Sequence, residues 1–249
     1  MINQLIHWAV DNGINHTFYV IFFIAGFVAV MVFNAINCRN FKIPVWKAAI
    51  LTVLVYAMTV AWMFFLFWAA TGFKNFGGNN IVRIFIWVPL FAWPVAKLLK
   101  LDWKTCCDYI SPCLCVVHGV AHLGCIFDGC CHGYKWEYGI WNPALNYKTF
   151  PVQPIEALVA IGIVVFLCIR QYKQKYKVDG LSYPIMLILF GSTRFLLEFA
   201  RDNNKLFLGI SNLALHAVLM LLVGLALYFS LTAAEASKKK NKKNSYRTT

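Results

Sequence analysis

The segment from residue 118 to residue 133 holds most of the side chains in this sequence that could do chemistry. In chain order they are His118, His122, Cys125, Asp128, Cys130, Cys131 and His132, with glycines between them. A cysteine beside a histidine can act as a nucleophile when its thiolate is stabilised. Four Cys and His ligands can bind zinc, and the adjacent Cys130 and Cys131 can exchange disulfides in an oxidising compartment. The spacing alone leaves these chemistries open.

A second group is the charged series Arg194, Glu198 and Arg201, which lies in an otherwise apolar segment. Spacings of four and seven residues place the three side chains on one face of a helix. One interpretation is a ladder of ion pairs between helices. The other is an anion site, because a guanidinium binds phosphate through two parallel donors. A net positive series that faces the protein interior suits a phospholipid headgroup.

A third segment runs from Phe150 to Leu158 and contains Pro151 and Glu156. Proline at a helix start is ordinary, and an acidic residue there suits the helix dipole. Chemistry alone does not single this segment out.

The elements that position these groups belong to a membrane protein. The chain has 249 residues, of which 60% are hydrophobic and only 13% charged, whereas a soluble domain carries about 25% charged residues. Backbone polar groups must be paired within lipid, so the spans are expected to be helices. The net charge of +13 comes mostly from short loops and a tail. Because no soluble segment combines a basic face with aromatic residues, nucleic acid is not an expected partner.

Apolar runs predict seven spans, since a helix of about 20 residues crosses the hydrocarbon core. The first run begins too far into the chain, and lacks a basic segment before it, to be a cleaved signal peptide. The isolated cysteines of these runs are interpreted as small apolar side chains: Cys38, Cys113, Cys115 and Cys168. The expected fold is an all-α integral membrane protein, a bundle of seven transmembrane helices at about residues 17–37, 47–71, 81–99, 109–129, 152–170, 181–200 and 207–232.

Basic residues predict the orientation of the bundle. Sixteen of the 23 Lys and Arg residues lie in the first, third and fifth connections and in the carboxy-terminal tail. Basic residues next to spans favour the cytoplasmic side. The amino terminus is therefore expected outside and the carboxy terminus in the cytoplasm, as an odd number of spans requires. Residues 1–236 are expected to form one polytopic membrane domain, and residues 237–249 a basic, disordered cytoplasmic tail.

Several segments together resemble the prolipoprotein diacylglyceryl transferase family, whose members are seven-span bacterial enzymes. The series Arg194-Phe-x-x-Glu198-Phe-x-Arg201 is the closest match, and Phe150 to Leu158 is similar to the family's H-P-T-Q-L-Y-E-A segment. Further resemblances, in chain order, are Tyr19 with Gly26, the pair Gly77-Gly78, Asp108 to Pro112, and Leu123-Gly124 through Gly129 to Gly133.

The resemblance implies a reaction and a set of site residues. Phosphatidylglycerol would donate its diacylglyceryl group to the lipobox cysteine of a lipoprotein precursor, at the outer face of the bacterial cytoplasmic membrane. Glycerol phosphate would leave, and neither a metal nor a cofactor is expected. Catalytic roles are expected for His122, Arg194, Glu198 and Cys130, with Arg194 and Arg201 stabilising the leaving phosphate. Substrate-binding roles are expected for Tyr19, Gly77, Gly78, Cys125, Asp128, Gly133, Glu156 and Arg201.

The sequence departs from the family at four positions. His122, Cys125 and Cys130 stand where the family signature has Arg, Asn and Glu, and Phe76 stands where the family has a histidine beside its glycine pair. A histidine, with an ordinary pKa of about 6.5, binds phosphate less firmly than an arginine at neutral pH. Three alternatives therefore stay open: another acceptor, binding of lipid or lipoprotein only, and a membrane thiol-redox or metal protein that uses the Cys/His cluster.

Overall fold

The computed structural model describes residues 1–70, 72, 85–202, 205–207 and 210–245. Within these ranges the chain forms eight helices: α1 (Ile2–Asp11), α2 (Asn15–Asn37), α3 (Val45–Ala70), α4 (Val88–Leu99), α5 (Trp103–Asp128), α6 (Val152–Lys173), α7 (Ser182–Glu198) and α8 (Asn212–Ser245). Short strands form two antiparallel pairs: β1 (Lys135–Asn142) with β2 (Tyr147–Thr149), and β3 (Lys205–Phe207) with β4 (Ile210–Ser211).

Five of the described helices are long and apolar enough to cross a membrane: α2, α3, α5, α6 and α8. This confirms a mostly helical, multi-pass membrane protein. The two remaining predicted spans correspond to α4, which is apolar but shorter, and to α7, which has 17 residues. The count of seven spans and the orientation stay predictions.

Two span boundaries differ from the sequence prediction for local reasons. α5 begins at Trp103 rather than near residue 109, because the Asp102 carboxylate accepts the backbone N–H of Thr105 at 2.8 Å and caps the helix. α8 begins at Asn212 rather than residue 207, because β3 and β4 pair just before it. The described part of α8 continues to Ser245, and the predicted division of the chain at residue 237 is untested.

α5 is the central helix of the bundle. Of its most apolar 18-residue window 78% is buried, against 17% for α2. Two glycines allow neighbouring helices to approach it closely. A Cβ added to Gly119 would lie 3.2 Å from the Cβ of Ala160 on α6, and one added to Gly124 would lie 2.9 Å from the Cβ of Phe22 on α2. Small residues at such contacts let membrane helices pack backbone against backbone.

Two elements that the sequence analysis did not predict lie beside the end of α5. Ile6 and Ala9 of α1 are fully buried and cluster with Ile126 and Phe127 of α5. The β1–β2 hairpin follows α5, and α1 is joined to it by the bond from the Trp141 N–H to the Asn3 side chain. These contacts fix the end of α5 that carries the reactive residues.

Candidate active site

A buried carboxylate, that of Glu156, is the centre of the site. Glu156 lies in the second turn of α6 and is only 2% exposed. Two histidines one turn apart on α5 reach it: His118 Nε2 lies 3.0 Å from Oε1, and His122 Nε2 lies 2.9 Å from Oε2. Their rings stack with centroids 4.4 Å apart. The i, i+4 spacing in the sequence thus brings both imidazoles to one acceptor.

Two arginines bind the same carboxylate. Arg194 Nη1 on α7 lies 2.7 Å from each of the two carboxylate oxygens, and Arg201 Nη2 donates to Oε2. Both guanidiniums are almost fully buried. Removing charges from water costs several kcal/mol per ion, and this cost is offset only when each charge is paired and hydrogen-bonded. Glu156 provides that pairing for both arginines.

Arg201 reaches the cluster from outside the helix. The sequence analysis placed it on one helical face with Arg194 and Glu198, but α7 ends at Glu198. The backbone then turns, and Arg201 forms an isolated β-bridge with Gly133. From there its Nη2 also lies 3.2 Å from His122 Nε2. The expected juxtaposition is therefore present, but the β-bridge rather than helical periodicity produces it.

Glu198 is a second, less direct partner. Its Oε2 lies 3.6 Å from Arg194 Nη2 and 3.8 Å from Arg201 Nε, and its Oε1 accepts a hydrogen bond of 2.6 Å from Ser211 Oγ. Because Glu156 adds a second negative charge, the two arginines are balanced by two carboxylates. The sequence analysis expected a net positive charge from the series on α7 alone. With Glu156 of α6 included, the net charge of the cluster is zero.

Unused donors remain on the two arginines. Within the residues that the structure describes, the buried Nε–H groups of Arg194 and Arg201 have no hydrogen-bond acceptor. A buried donor without an acceptor costs about 1–3 kcal/mol, and such a donor at a site favours an oxyanion ligand.

A cluster of three thiols lies next to this charged cluster. The Sγ atoms of Cys125, Cys130 and Cys131 all lie within 4.8 Å of one another. Hydrogen bonds from the other two thiols, together with the nearby His122 and Arg201, hold the pKa of the Cys131 thiol well below its ordinary value. A thiolate is thus favoured at Cys131.

The backbone of the thiol cluster is held by side chains from two other elements. Gln153 Nε2 on α6 donates to the carbonyl of Cys130 at 2.9 Å, and Arg201 Nη1 donates to the carbonyl of Cys131 at 3.0 Å. Gly129 ends α5 at a φ of +72°, and Asn142 Nδ2 donates to its carbonyl at 2.9 Å. A Cβ at Gly129 would lie 2.5 Å from Asn142 Oδ1, so a side chain there would disturb this turn.

The remaining predicted site residues lie around these two clusters. Tyr19 on α2 is near the thiols and stacks on His16, whose Nδ1 lies 3.1 Å from Asp128 Oδ1. Gly133 lies where a Cβ would be 2.7 Å from the Phe150 carbonyl, so it permits the bridge to Arg201. Gly77 and Gly78, with the neighbouring Phe76, lie outside the described residues.

Some residues of the site were not among those predicted for it. His118 and Cys131 had a sequence signal, since His118 precedes His122 by one turn and Cys131 adjoins Cys130. Gln153 had a weaker one, because it lies one turn before Glu156. Ser211 had none, because its contact with Glu198 depends on the β3–β4 pair.

Comparisons with known proteins point to one family. A model of the prolipoprotein diacylglyceryl transferase family matches residues 9–230. The chain is 24% identical over 154 residues to phosphatidylglycerol–prolipoprotein diacylglyceryl transferase 2 of Clostridium perfringens, a match covering 58% of this chain and 59% of that protein. It is 27% identical over 161 residues to the corresponding transferase of Nitrosomonas europaea (61% and 58%), and 23% identical over 180 residues to that of Dehalococcoides mccartyi (66% and 65%). The matches span less than two thirds of the length of each of these relatives.

Proposed function

Since the chain belongs to the prolipoprotein diacylglyceryl transferase family, we propose that it transfers a diacylglyceryl group from phosphatidylglycerol to the cysteine thiol of a lipoprotein precursor. The relatives described above are named for a reaction of phosphatidylglycerol with prolipoprotein. The observation that carries the proposal is the pair of buried arginines, Arg194 and Arg201, each with an Nε–H that makes no hydrogen bond to a described residue. A phosphate oxygen is a suitable acceptor for such donors.

The reaction needs a stabilised leaving group and a deprotonated thiol. We assign the first task to Arg194 and Arg201, which stay in place because Glu156 binds both. The acceptor sulfur attacks the glyceryl carbon, an S–C bond forms, and the C–O bond to phosphate breaks. The electron pair of that bond leaves with glycerol phosphate, on which the guanidiniums stabilise the charge.

His122 is the group we assign to the proton. Its Nε2 lies beside the Glu156 carboxylate, which stabilises an imidazolium in the way a carboxylate does in nucleophile–histidine–acid triads. The thiol proton would pass to His122, and the resulting thiolate would form the S–C bond. Since this histidine stands where the family signature has an arginine, it would add a base to the site at the expense of one permanent positive charge.

The location we propose is the bacterial cytoplasmic membrane, with seven spans and the amino terminus outside. α4 and α7 would complete the five longer spans. In this orientation the Cys131 end of α5 and the β1–β2 hairpin face outward, where an exported precursor and a phospholipid headgroup meet.

Release of glycerol phosphate tests the reaction. The purified full-length protein, mixed with phosphatidylglycerol and a lipobox peptide, should release glycerol phosphate and produce a thioether-linked peptide, detected by mass spectrometry. Arg194→Ala should lower the rate about 100-fold or more, as loss of a charge-stabilising donor does. Arg194→Lys keeps the charge but loses the paired donors, so its rate should lie between those of the unsubstituted protein and Arg194→Ala.

A matched control is Arg39→Ala, which removes an exposed arginine outside the site and should leave the rate unchanged. No release above the control without protein would refute the proposed reaction. A rate for Arg194→Ala equal to that of Arg39→Ala would refute the role of Arg194.

A further inference from the structure

The proposed transfer gives no role to the thiols of Cys125, Cys130 and Cys131, although three cysteine sulfurs within 4.8 Å are close to a metal-binding arrangement. We propose that they bind one Zn²⁺ through three thiolates and that the acceptor thiol takes the fourth position. With Zn–S bonds of about 2.3 Å, tetrahedral ligands lie about 3.8 Å apart. Small side-chain rotations bring the thiols to that spacing, whereas a disulfide requires two sulfurs at about 2.05 Å.

The backbone at the cluster is already held in the form that such a site needs. Cys131 has a φ of 59°, a left-handed conformation that is uncommon for residues other than glycine. It persists because side chains fix the carbonyls on both cysteines: Gln153 binds that of Cys130 and Arg201 that of Cys131. Backbone strain that a surrounding structure maintains is a feature of functional sites. Here it brings two neighbouring thiols to the same side as Cys125.

The number and kind of ligands favour zinc with an open position. Thiolates are soft ligands that select Zn²⁺ among common divalent ions. Within the described part of the chain, no fourth Cys, His, Asp or Glu joins the three at this distance. Catalytic zinc sites have three protein ligands, whereas structural sites have four. Three thiolates and one Zn²⁺ leave a net charge of −1, beside which Arg201 donates to the Cys131 carbonyl.

The role of the fourth position depends on the proposed function. The acceptor thiol would bind zinc as its proton passes to His122, because a thiol is deprotonated when it coordinates a cation of this kind. The zinc-held thiolate would then attack the glyceryl carbon while the C–O bond to phosphate breaks. The product is a neutral thioether, a weaker ligand than a thiolate, so it would leave the zinc. This site differs from the expectation that the reaction needs no metal.

Zinc content tests the site without phospholipid or turnover. Full-length protein in detergent, reduced, equilibrated with Zn²⁺ and desalted, should retain about one zinc per chain by elemental analysis. Cys125→Ser and Cys130→Ser should each lose most of it. Cys168→Ser, which removes a free and partly exposed cysteine about three turns from Glu156 on α6, should retain it. Less than about 0.2 zinc per chain in the unsubstituted protein, or equal retention in all variants, would overturn the site.

Cobalt provides a second measurement that needs no substitution. Co²⁺ in the unsubstituted protein should give the thiolate charge-transfer band and the visible bands of a tetrahedral thiolate site. A lipobox peptide with its cysteine should shift the visible bands, and the same peptide with serine should not. A disulfide between any two of the three cysteines in freshly purified, unreduced protein, with no zinc present, would overturn the proposal in favour of redox chemistry.

The two proposals can fail separately. Protein that binds zinc and whose cobalt spectrum responds to the peptide, but that releases no glycerol phosphate, would refute the transfer reaction and leave the metal site standing. Protein that releases glycerol phosphate equally fast after a chelator has removed its zinc would refute the role given to the fourth position.

Discussion

At Glu156 a single carboxylate accepts contacts from four side chains that come from three separate parts of the chain. His118 and His122 come from α5, Arg194 from α7, and Arg201 from the bridge after α7. Without this carboxylate, Glu198 would be the only described acidic partner of the two arginines, at 3.6 and 3.8 Å. Its role in holding the arginines is therefore inseparable from its role in stability.

Replacing Glu156 with glutamine should test this role. Glu156→Gln keeps the shape but removes the charge, and it leaves Arg194 and Arg201 unbalanced in a buried site. Breaking a buried pair by removing one partner costs about 3–5 kcal/mol, so the thermal unfolding midpoint in detergent should fall by about 10 °C or more. Glu137→Gln, an exposed glutamate on β1, is the matched control and should shift the midpoint little. Equal midpoints for the two variants would contradict the central role of Glu156.

The sequence predicted the charged residues of the site unequally. Arg194 and Glu198 were found because charges in an apolar segment are costly and need a reason. Glu156 was found only through the family resemblance, since a glutamate near a helix start is ordinary. That Glu156, rather than Glu198, binds both arginines directly could not be predicted, because it depends on how α6 and α7 pack.

At the scale of elements, Asp108 links two helices that are far apart in the chain. Its carboxylate on α5 accepts the backbone N–H groups of Gly180 and Ser182, each at 2.9 Å. These groups lie at the start of α7, where no preceding turn of helix offers them acceptors, and both residues are buried. Asp108 therefore holds the start of α7 against α5, and α7 carries Arg194 towards Glu156.

Asp108→Asn should loosen this junction. The amide has one acceptor oxygen, so one buried N–H loses its partner at a cost of about 1–3 kcal/mol. We expect a lower unfolding midpoint and faster protease cleavage in the connection between α6 and α7. Asp11→Asn, at an exposed position in α1, should show neither change. Cleavage at the unsubstituted rate in Asp108→Asn would show that other contacts hold the start of α7.

The elements themselves were predictable to different degrees. Long apolar runs located α2, α3, α5, α6 and α8, because the apolar surface that lipid requires is visible in any window of 20 residues. α1 and the two strand pairs were not predicted. The second strand of each pair has three or two residues, too few for an alternating pattern to be seen. Their stability depends on contacts such as that between Asn3 and Trp141.

For the whole molecule, the orientation depends on α4 and α7 crossing the membrane. With seven spans and the amino terminus outside, the connections at Lys100 and Tyr176 lie in the cytoplasm and the hairpin turn at Asn146 lies outside. If only the five longer helices crossed, all three positions would be reversed, while the carboxy terminus would stay inside. The three connections therefore discriminate between the two topologies and the tail does not.

Reporter fusions can measure these positions in a bacterial host. Alkaline phosphatase, which is active only outside, should be active when fused after Asn146 and inactive after Lys100 or Tyr176. A fluorescent protein that matures only inside should give the opposite pattern. A fusion at Thr249 is the control, because both topologies place it inside. Alkaline phosphatase activity after Lys100 together with fluorescence after Asn146 would contradict the seven-span topology.

The central position of α5 has a consequence for how the protein is made. Among the five candidate spans α5 has the lowest mean hydropathy, 1.8 against 2.2 to 2.4 for the others, and it is the most buried. The ribosome synthesises α5 before α6 and α7. His118 and His122 therefore emerge before Glu156, Arg194 and Arg201 have been synthesised. During that interval only the earlier helices, α1 to α4, and the insertion machinery can shield α5 from lipid. We therefore expect α5 to be stably packed only when α6 and α7 have inserted beside it. A chain truncated before α6 should be degraded by membrane quality-control proteases.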